Sequence, residues 1–426
     1  MTMQGETMTA NGDARIVTGP RTVEETGIRR SILEDLALKT LYILGELTLR
    51  ELADHMCVSL RIVEELFQRL RKDQLCQVTG MAGGVHRIVT TSEGKSRALE
   101  LLSLNQYHGA VPVSLGDYVA RVHAQTVRHM EVDPLQVERA FNHLVLDAET
   151  LSQLGTAVIS GKAIFLYGPS GTGKTTVAEA LWRLFAESEI FVPHAVEIDG
   201  QIIGVYDPGV HRASETPLGP DHDARWVLCQ RPRVIVGGEL TIEMLDLQFN
   251  PITKFYAAPI QMKANNGLLI IDDFGRQRVS PEELLNRWVV PLDRNLDFLT
   301  LVGGKKIEIP FDMIVVFATN LDPATLVDEA FLRRIQTKIR LDNLSEQQFH
   351  AICRRVCEDL RLECEPAVVD HLIQVITRDL KQALRGCQPR DIIHHVCWGA
   401  RYERRTPRLD RETVDQACRA YFLSPR

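Results

Sequence analysis

Gly168-Pro169-Ser170-Gly171-Thr172-Gly173-Lys174-Thr175 follows the apolar run Ala163-Ile-Phe-Leu-Tyr167 and meets the pattern G-x-x-x-x-G-K-[ST] in full. Glycines let successive backbone N–H groups turn inward around a phosphate chain, where a side chain would block the approach. In such a loop the lysine reaches the β- and γ-phosphates and the next hydroxyl reaches Mg2+. The stretch therefore predicts nucleotide binding by Gly168 through Thr176, with Lys174 on the phosphates and Thr175 on the metal. From Thr175 onward Val177, Leu181, Leu184 and Phe185 share one helical face. A helix starting there adds a dipole favourable to anions.

Four further elements follow in order. Gly267-Leu-Leu-Ile-Ile271-Asp272-Asp273 is a buried strand ending in two carboxylates. Asp272 suits the Mg2+ shell, and Asp273 suits the group that polarises an attacking water. Met313-Ile-Val-Val-Phe-Ala318-Thr319-Asn320 is a second apolar strand, with an amide at its end fitted to orient that water. In Glu329-Ala-Phe-Leu-Arg333-Arg334 a pair of arginines follows a short helix, placed to reach a γ-phosphate on a neighbouring subunit, with Arg334 preferred over Arg333. Gly386-Cys-Gln-Pro-Arg390-Asp391 opens a helix from which Arg390 would contact the nucleotide of its own subunit.

This order of Walker A, Walker B, sensor 1, arginine finger and sensor 2 resembles the AAA+ ATPases over about Leu135 to Arg426. Phe298 to Ile309 reads as two short strands about Gly303-Gly304 and is similar to the hairpin before sensor 1 in the clade of MoxR-type chaperones, sigma-54 activators, RuvB-like motors and Lon/ClpX-type unfoldases. Together with the N-terminal domain described below, it resembles bacterial predicted ATPases with chaperone activity. The resemblance implies an α/β P-loop core with a five-stranded parallel sheet, a helical lid, ATP and Mg2+ as cofactors, ATP hydrolysis, and a homo-oligomeric, usually hexameric, ring with its sites at subunit interfaces. The chain departs from the family twice. Asp273 stands where the family has Glu, one methylene longer, which implies slow hydrolysis. The GAFTGA loop of sigma-54 activators is absent. Where related motors carry a pore loop stands Ile202-Ile-Gly204-Val205-Tyr206, which reads either as a polypeptide-gripping loop or as an ordinary packed aromatic.

The chain has 426 residues, 45% hydrophobic and 25% charged, enough for two to four domains. The divisions expected are a disordered tail over 1–27, a winged-helix-like domain over 28–104, a connector over 105–134, the α/β core over 135–342 and a helical lid over 343–426. In the second of these, Ile32, Leu36, Leu41 and Leu44 predict one helix; Thr48 caps another through Met56; Ser59 caps a third carrying Ile62, Val63, Leu66, Phe67 and Leu70. Two strands about Gly80–Gly84 would form the hairpin of a winged helix-turn-helix fold. Arg61, Arg69 and Lys72 on the third helix stand beside Glu64 and Glu65, so a protein-binding or regulatory role is favoured over DNA binding. The net charge of −7 argues the same way for the whole chain.

No run approaches the ~18 apolar residues of a membrane span, and the first residues resemble neither a secretory signal nor a transit peptide. The nine cysteines include no C-x-x-C pair. Reduced thiols and a cytoplasmic location are expected. His394-His395-x-Cys397 and the pair Cys353/Cys357 lie in helical apolar patterns, where core packing is favoured over metal ligation.

Overall fold

The computed structural model describes residues 17–326 and 329–422. Five strands form one parallel sheet, the three inner ones apolar runs: β1 (Ile164–Tyr167), β2 (Arg233–Val236), β3 (Leu268–Ile271), β4 (Ile314–Thr319) and β5 (Thr337–Arg340), in the spatial order β2-β3-β4-β1-β5. In β1, β3 and β4 alternate residues serve opposite faces. Ile164, Leu166, Leu268, Ile270, Ile314 and Val316 pack with Val177, Leu181 and Phe185 on one side. Phe165, Leu269, Ile271, Val315 and Phe317 pack with Phe274, Leu284 and Trp288 on the other. A sheet covered on both faces needs strands that are apolar throughout, which is how these runs read in the sequence. The C-terminal helices Glu346–Leu360, Pro366–Gln374, Gln388–Tyr402 and Arg411–Tyr421 enclose a separate core around Phe349, Leu372, Ile392 and Val414. An α/β fold with a five-stranded parallel sheet and a helical C-terminal region is the architecture expected of an AAA+ core.

Near the N-terminus, helices Arg30–Leu44, Leu49–Met56 and Leu60–Lys72 pack on a three-stranded antiparallel sheet made by Leu47–Thr48, Val85–Thr90 and Cys76–Ala82. Thr48 closes a capping box with Glu51. Ser59 holds the N-cap position of the third helix, but its side chain makes no capping bond. Most of the tail expected over 1–27 lies outside the described residues. From residue 17 the chain is docked: Thr18 bridges to His222, and Val23 is buried in the core of the helical unit.

The stretch read as a connector is also part of a layer. Val113–Ser114 pairs with Ala195–Ile198 at the edge of a second five-stranded sheet, which continues through Gln201–Gly204, Tyr256–Ala257 and Gln248–Phe249. The helix Leu115–Ala124 packs against it. A buried ion pair, Arg225 with Asp223 at 2.8 Å, joins this layer to the N-terminal unit, because Arg225 also donates to the carbonyl of Thr26.

Just before β4, the carboxylate of Asp312 is 4% exposed and gathers donors from distant stretches. It accepts from Thr126 Oγ1 at 2.7 Å, Val127 N at 3.1 Å, Arg128 Nε at 3.1 Å and Asn266 Nδ2 at 2.5 Å. The same guanidinium caps the carbonyls of Gly161 and Phe311. Replacing Asp312 with Ala leaves that half-buried arginine without its counter-charge. The variant is expected to lose about 3–5 kcal/mol of stability, read as a lower urea midpoint of the unfolding transition.

Candidate functional site

The loop after β1 leaves the carboxyl end of the sheet, where open α/β folds bind their ligands. Gly168 stands at φ 141°, and a Cβ built there would lie 2.1 Å from the carbonyl oxygen of Leu341, which follows β5. Gly171 stands at φ 80°, and its Cβ would lie 2.7 Å from Cys387 Sγ. Both positions therefore exclude a side chain twice, by conformation and by contact. Thr172 Oγ1 donates to the Pro169 carbonyl at 3.1 Å, and Gly173 is the N-cap of the helix Lys174–Leu181. Lys174 folds back over the loop, donating to the carbonyls of Gly168 at 3.0 Å and Pro169 at 2.7 Å. Burial lowers the pKa of its ammonium, while the carboxylates of Asp273 and Asp272 pull it the other way.

The acidic strand end meets the loop directly. Thr175 Oγ1 lies 2.9 Å from both carboxylate oxygens of Asp272, and the Asp272 amide donates to Val236 of β2. Gln277 Nε2 holds the Asp272 carbonyl at 2.8 Å, while its Oε1 accepts from Gly275 N. Asp273 takes the left-handed conformation, φ 49°, as the chain turns out of the sheet. Two bonds tie this turn to the end of β4: Phe274 N to the Ala318 carbonyl at 2.7 Å, and Thr319 Oγ1 to the Phe274 carbonyl at 2.6 Å. Asn320 comes next, and its side-chain oxygen is buried without a hydrogen-bond partner. Lys174, Thr175, Asp272 and the turn leading to Asn320 are thus assembled at one end of the sheet.

The arginines stand apart from that assembly. Arg333 is exposed and paired with Glu329 at 3.2 Å; Arg334 donates to Asp293 at 3.0 Å. Both line an open cavity of about 400 Å3 with Lys162 and Gln336. Arg390 is 70% exposed, with Asp391 3.9 Å away. The lid touches the loop three to five residues earlier, where Cys387 N donates to the Gly171 carbonyl at 3.1 Å and Arg385 packs beside Gly171. Sequence reasoning missed Arg385, Cys387 and Gln277. Gly386 was the available signal for the first two, since a Cβ there would press on the Gly171 carbonyl at 3.4 Å.

The run Ile202–Tyr206 had two readings, and its packing decides between them. Gln201–Gly204 is an internal strand of the second sheet, and Ile202, Ile203 and Val205 are buried. Tyr206 stacks on His211 at 5.8 Å and meets His194 edge-on. A segment immobilised in a sheet is not a gripping loop, so the packed-aromatic reading stands. The hairpin is found as read: Leu296–Thr300 pairs with Lys306–Pro310 about Gly303-Gly304, and Val302 at its tip is exposed. Cys353 and Cys357 are buried among lid helices, and burial raises the Cys357 thiol to about 12. Among the described residues no helix is long and apolar enough to cross a membrane.

Comparison with known proteins adds a family match and two loose likenesses of fold. A family model described as a domain of unknown function (DUF8689) matches residues 345–420, the helical C-terminal unit. No curated protein matches the chain. Among solved structures, a mutant of RuvB from Thermotoga maritima is 14% identical, covers 68% of this chain and 71% of its own, and superposes with a TM-score of 0.38. Domain III of the replication initiation protein DnaA from Thermotoga maritima is 13% identical, covers 68% of this chain and 99% of its own, also with a TM-score of 0.38. Overlap this loose says nothing of activity, and function rests on the chain's own residues.

Gly168→Ala is expected to push the loop away from Leu341 and out of its phosphate-cradling shape. Affinity for a fluorescent ATP analogue, measured by titration, should fall at least about tenfold, equivalent to 1.4 kcal/mol, with a lowered melting temperature.

Proposed function

We propose that the chain binds ATP with Mg2+ and hydrolyses it to drive conformational remodelling of a protein partner, as a cytoplasmic AAA+ ATPase working in a homo-oligomeric ring. The observation that carries this reading is the junction of Thr175 with both oxygens of Asp272 at 2.9 Å, which joins the loop to the acidic strand end. The residues suit the group they would hold. Hydroxyl and carboxylate oxygens are Mg2+ ligands; the loop leaves its backbone open to phosphates; and the Asn320 oxygen is buried without a partner. Bound Mg2+ would neutralise charge on the phosphates. Lys174 would hold the phosphates, Asp273 polarise the attacking water and Asn320 orient it, while Arg334 would act on the site of the neighbouring copy and Arg390 on its own. A cavity of about 390 Å3 lies beside the loop, its lining mostly polar and charged with Leu146, Tyr167 and Leu344 as apolar surfaces, and we assign the adenine to it.

We read the N-terminal unit as a winged helix-turn-helix domain that binds protein. Charges on its third helix are partly spent within the unit, Glu65 on Arg30 and Arg69 on Asp73, which favours that role over DNA readout. A second reading, a switch that binds ATP and turns over slowly, draws on Asp273, which is shorter than Glu and held at φ 49°.

Lys174→Ala should abolish nucleotide binding. Asp273→Asn should bind ATP normally and hydrolyse it about 10²–10⁴-fold more slowly; unchanged steady-state turnover removes Asp273 from its role. If wild-type turnover is already negligible, the switch reading replaces the motor. Mixing Arg334→Ala with Lys174→Ala should restore part of the activity that each lacks alone. Failure of that mixture, with Arg333→Ala inactive by itself, moves the trans role to Arg333.

A further inference from the structure

The lid carries a feature the nucleotide site does not use. On helix Gln388–Tyr402, residues 392, 393, 396 and 400 are buried in the lid core. Positions 394, 398, 401 and 402 recur at helical spacing on the other face. There His394 stacks on Trp398, with ring centroids 5.8 Å apart and planes 23° from parallel. Trp398 is 58% exposed and Tyr402 90% exposed. Large rings in water stand out in a chain whose other tryptophans are wholly or largely covered.

The charge around these rings runs against that of the whole molecule. From Trp398 to Arg411 there are five arginines and two acidic residues, in a chain of net charge −7. Arg405 is paired with Glu403, whereas Arg401, Arg404 and Arg408 form no ion pair among the described residues. The helix ends within this cluster, Arg404 in the left-handed conformation and Arg405 N bonded to the Ala400 carbonyl. Arg401 thus lies on the helix between the two rings in sequence, and the turn that follows Tyr402 fixes the backbone at Arg404 and Arg405.

The geometry points to a docking surface for a single-stranded polynucleotide on this face of the lid. Stacked, exposed rings take unstacked bases, and neighbouring guanidinium groups take the phosphates between them. A duplex hides its base faces, and an acidic peptide has no nucleobase to stack on the rings. This surface is separate from the third helix of the N-terminal unit, and it does not depend on the proposed ATPase activity.

The test uses the full chain and a fluorescein-labelled oligothymidylate of about 20 nucleotides, followed by fluorescence polarisation across a salt series. Binding is expected, weakened about tenfold or more in Trp398→Ala/Tyr402→Ala. In Arg401→Ala/Arg404→Ala/Arg408→Ala the slope of log affinity against log salt should flatten by about 2, at roughly 0.7 per phosphate contact. Both variants change exposed residues and should keep the parent melting temperature. The proposal is overturned if the strand does not bind, if neither variant weakens it, if a duplex or polyglutamate binds the same face more tightly, or if the binding is lost instead in Arg61→Ala/Lys72→Ala.

Discussion

The Asp312 carboxylate is taken out of water and remains compatible with the fold because four donors from two distant stretches, Thr126–Arg128 and Asn266, converge on it. An ionised carboxylate cannot be buried without such compensation, so the connector, the turn before β3 and the start of β4 must come together for any of them to be stable. β3 and β4 leave this point as parallel neighbours, Leu268 opposite Ile314 and Ile271 opposite Phe317. Strands of four to six residues are stiff over that length, so their far ends, which bear Asp272 and Asn320, inherit an alignment set at the opposite edge of the sheet.

Much of this was legible in the sequence because the relevant signals are local. The loop glycines, the strands apolar on both faces and the Gly303-Gly304 turn are each visible within a dozen residues. The second sheet was not legible, since Val113–Ser114, Gln248–Phe249 and Tyr256–Ala257 are two residues long and have no period to read. Its pairings also join stretches some eighty residues apart, as in Val113 with Val196. Tyr206 kept two readings open for a related reason: a glycine and a nearby aromatic look the same in a mobile loop and at the end of a buried strand. The arginines show a further limit. Chain order ranks Arg390 above Arg385, but packing sets Arg385 against the loop.

The N-terminal unit is held to the body through buried polar groups as well as apolar contact. Arg225 spans from Asp223 to the Thr26 carbonyl, and just beyond the unit's last helix the backbone of Gln106 bonds to the Thr253 carbonyl. Pulling the unit away would leave the Arg225 guanidinium short of a partner, so the structure favours a unit carried with the core over one that swings on a tether.

The lid has two points of attachment to one loop. At its root, Leu341 N bonds to the Tyr167 carbonyl, and the Leu341 carbonyl closes the space beside Gly168; further on, Cys387 N bonds to the Gly171 carbonyl. Both attachments fall on one loop of eight residues, at its first glycine and at its middle one. Any substitution that displaces the backbone there is therefore felt at the root of the C-terminal helices and at the turn before Gln388–Tyr402 together.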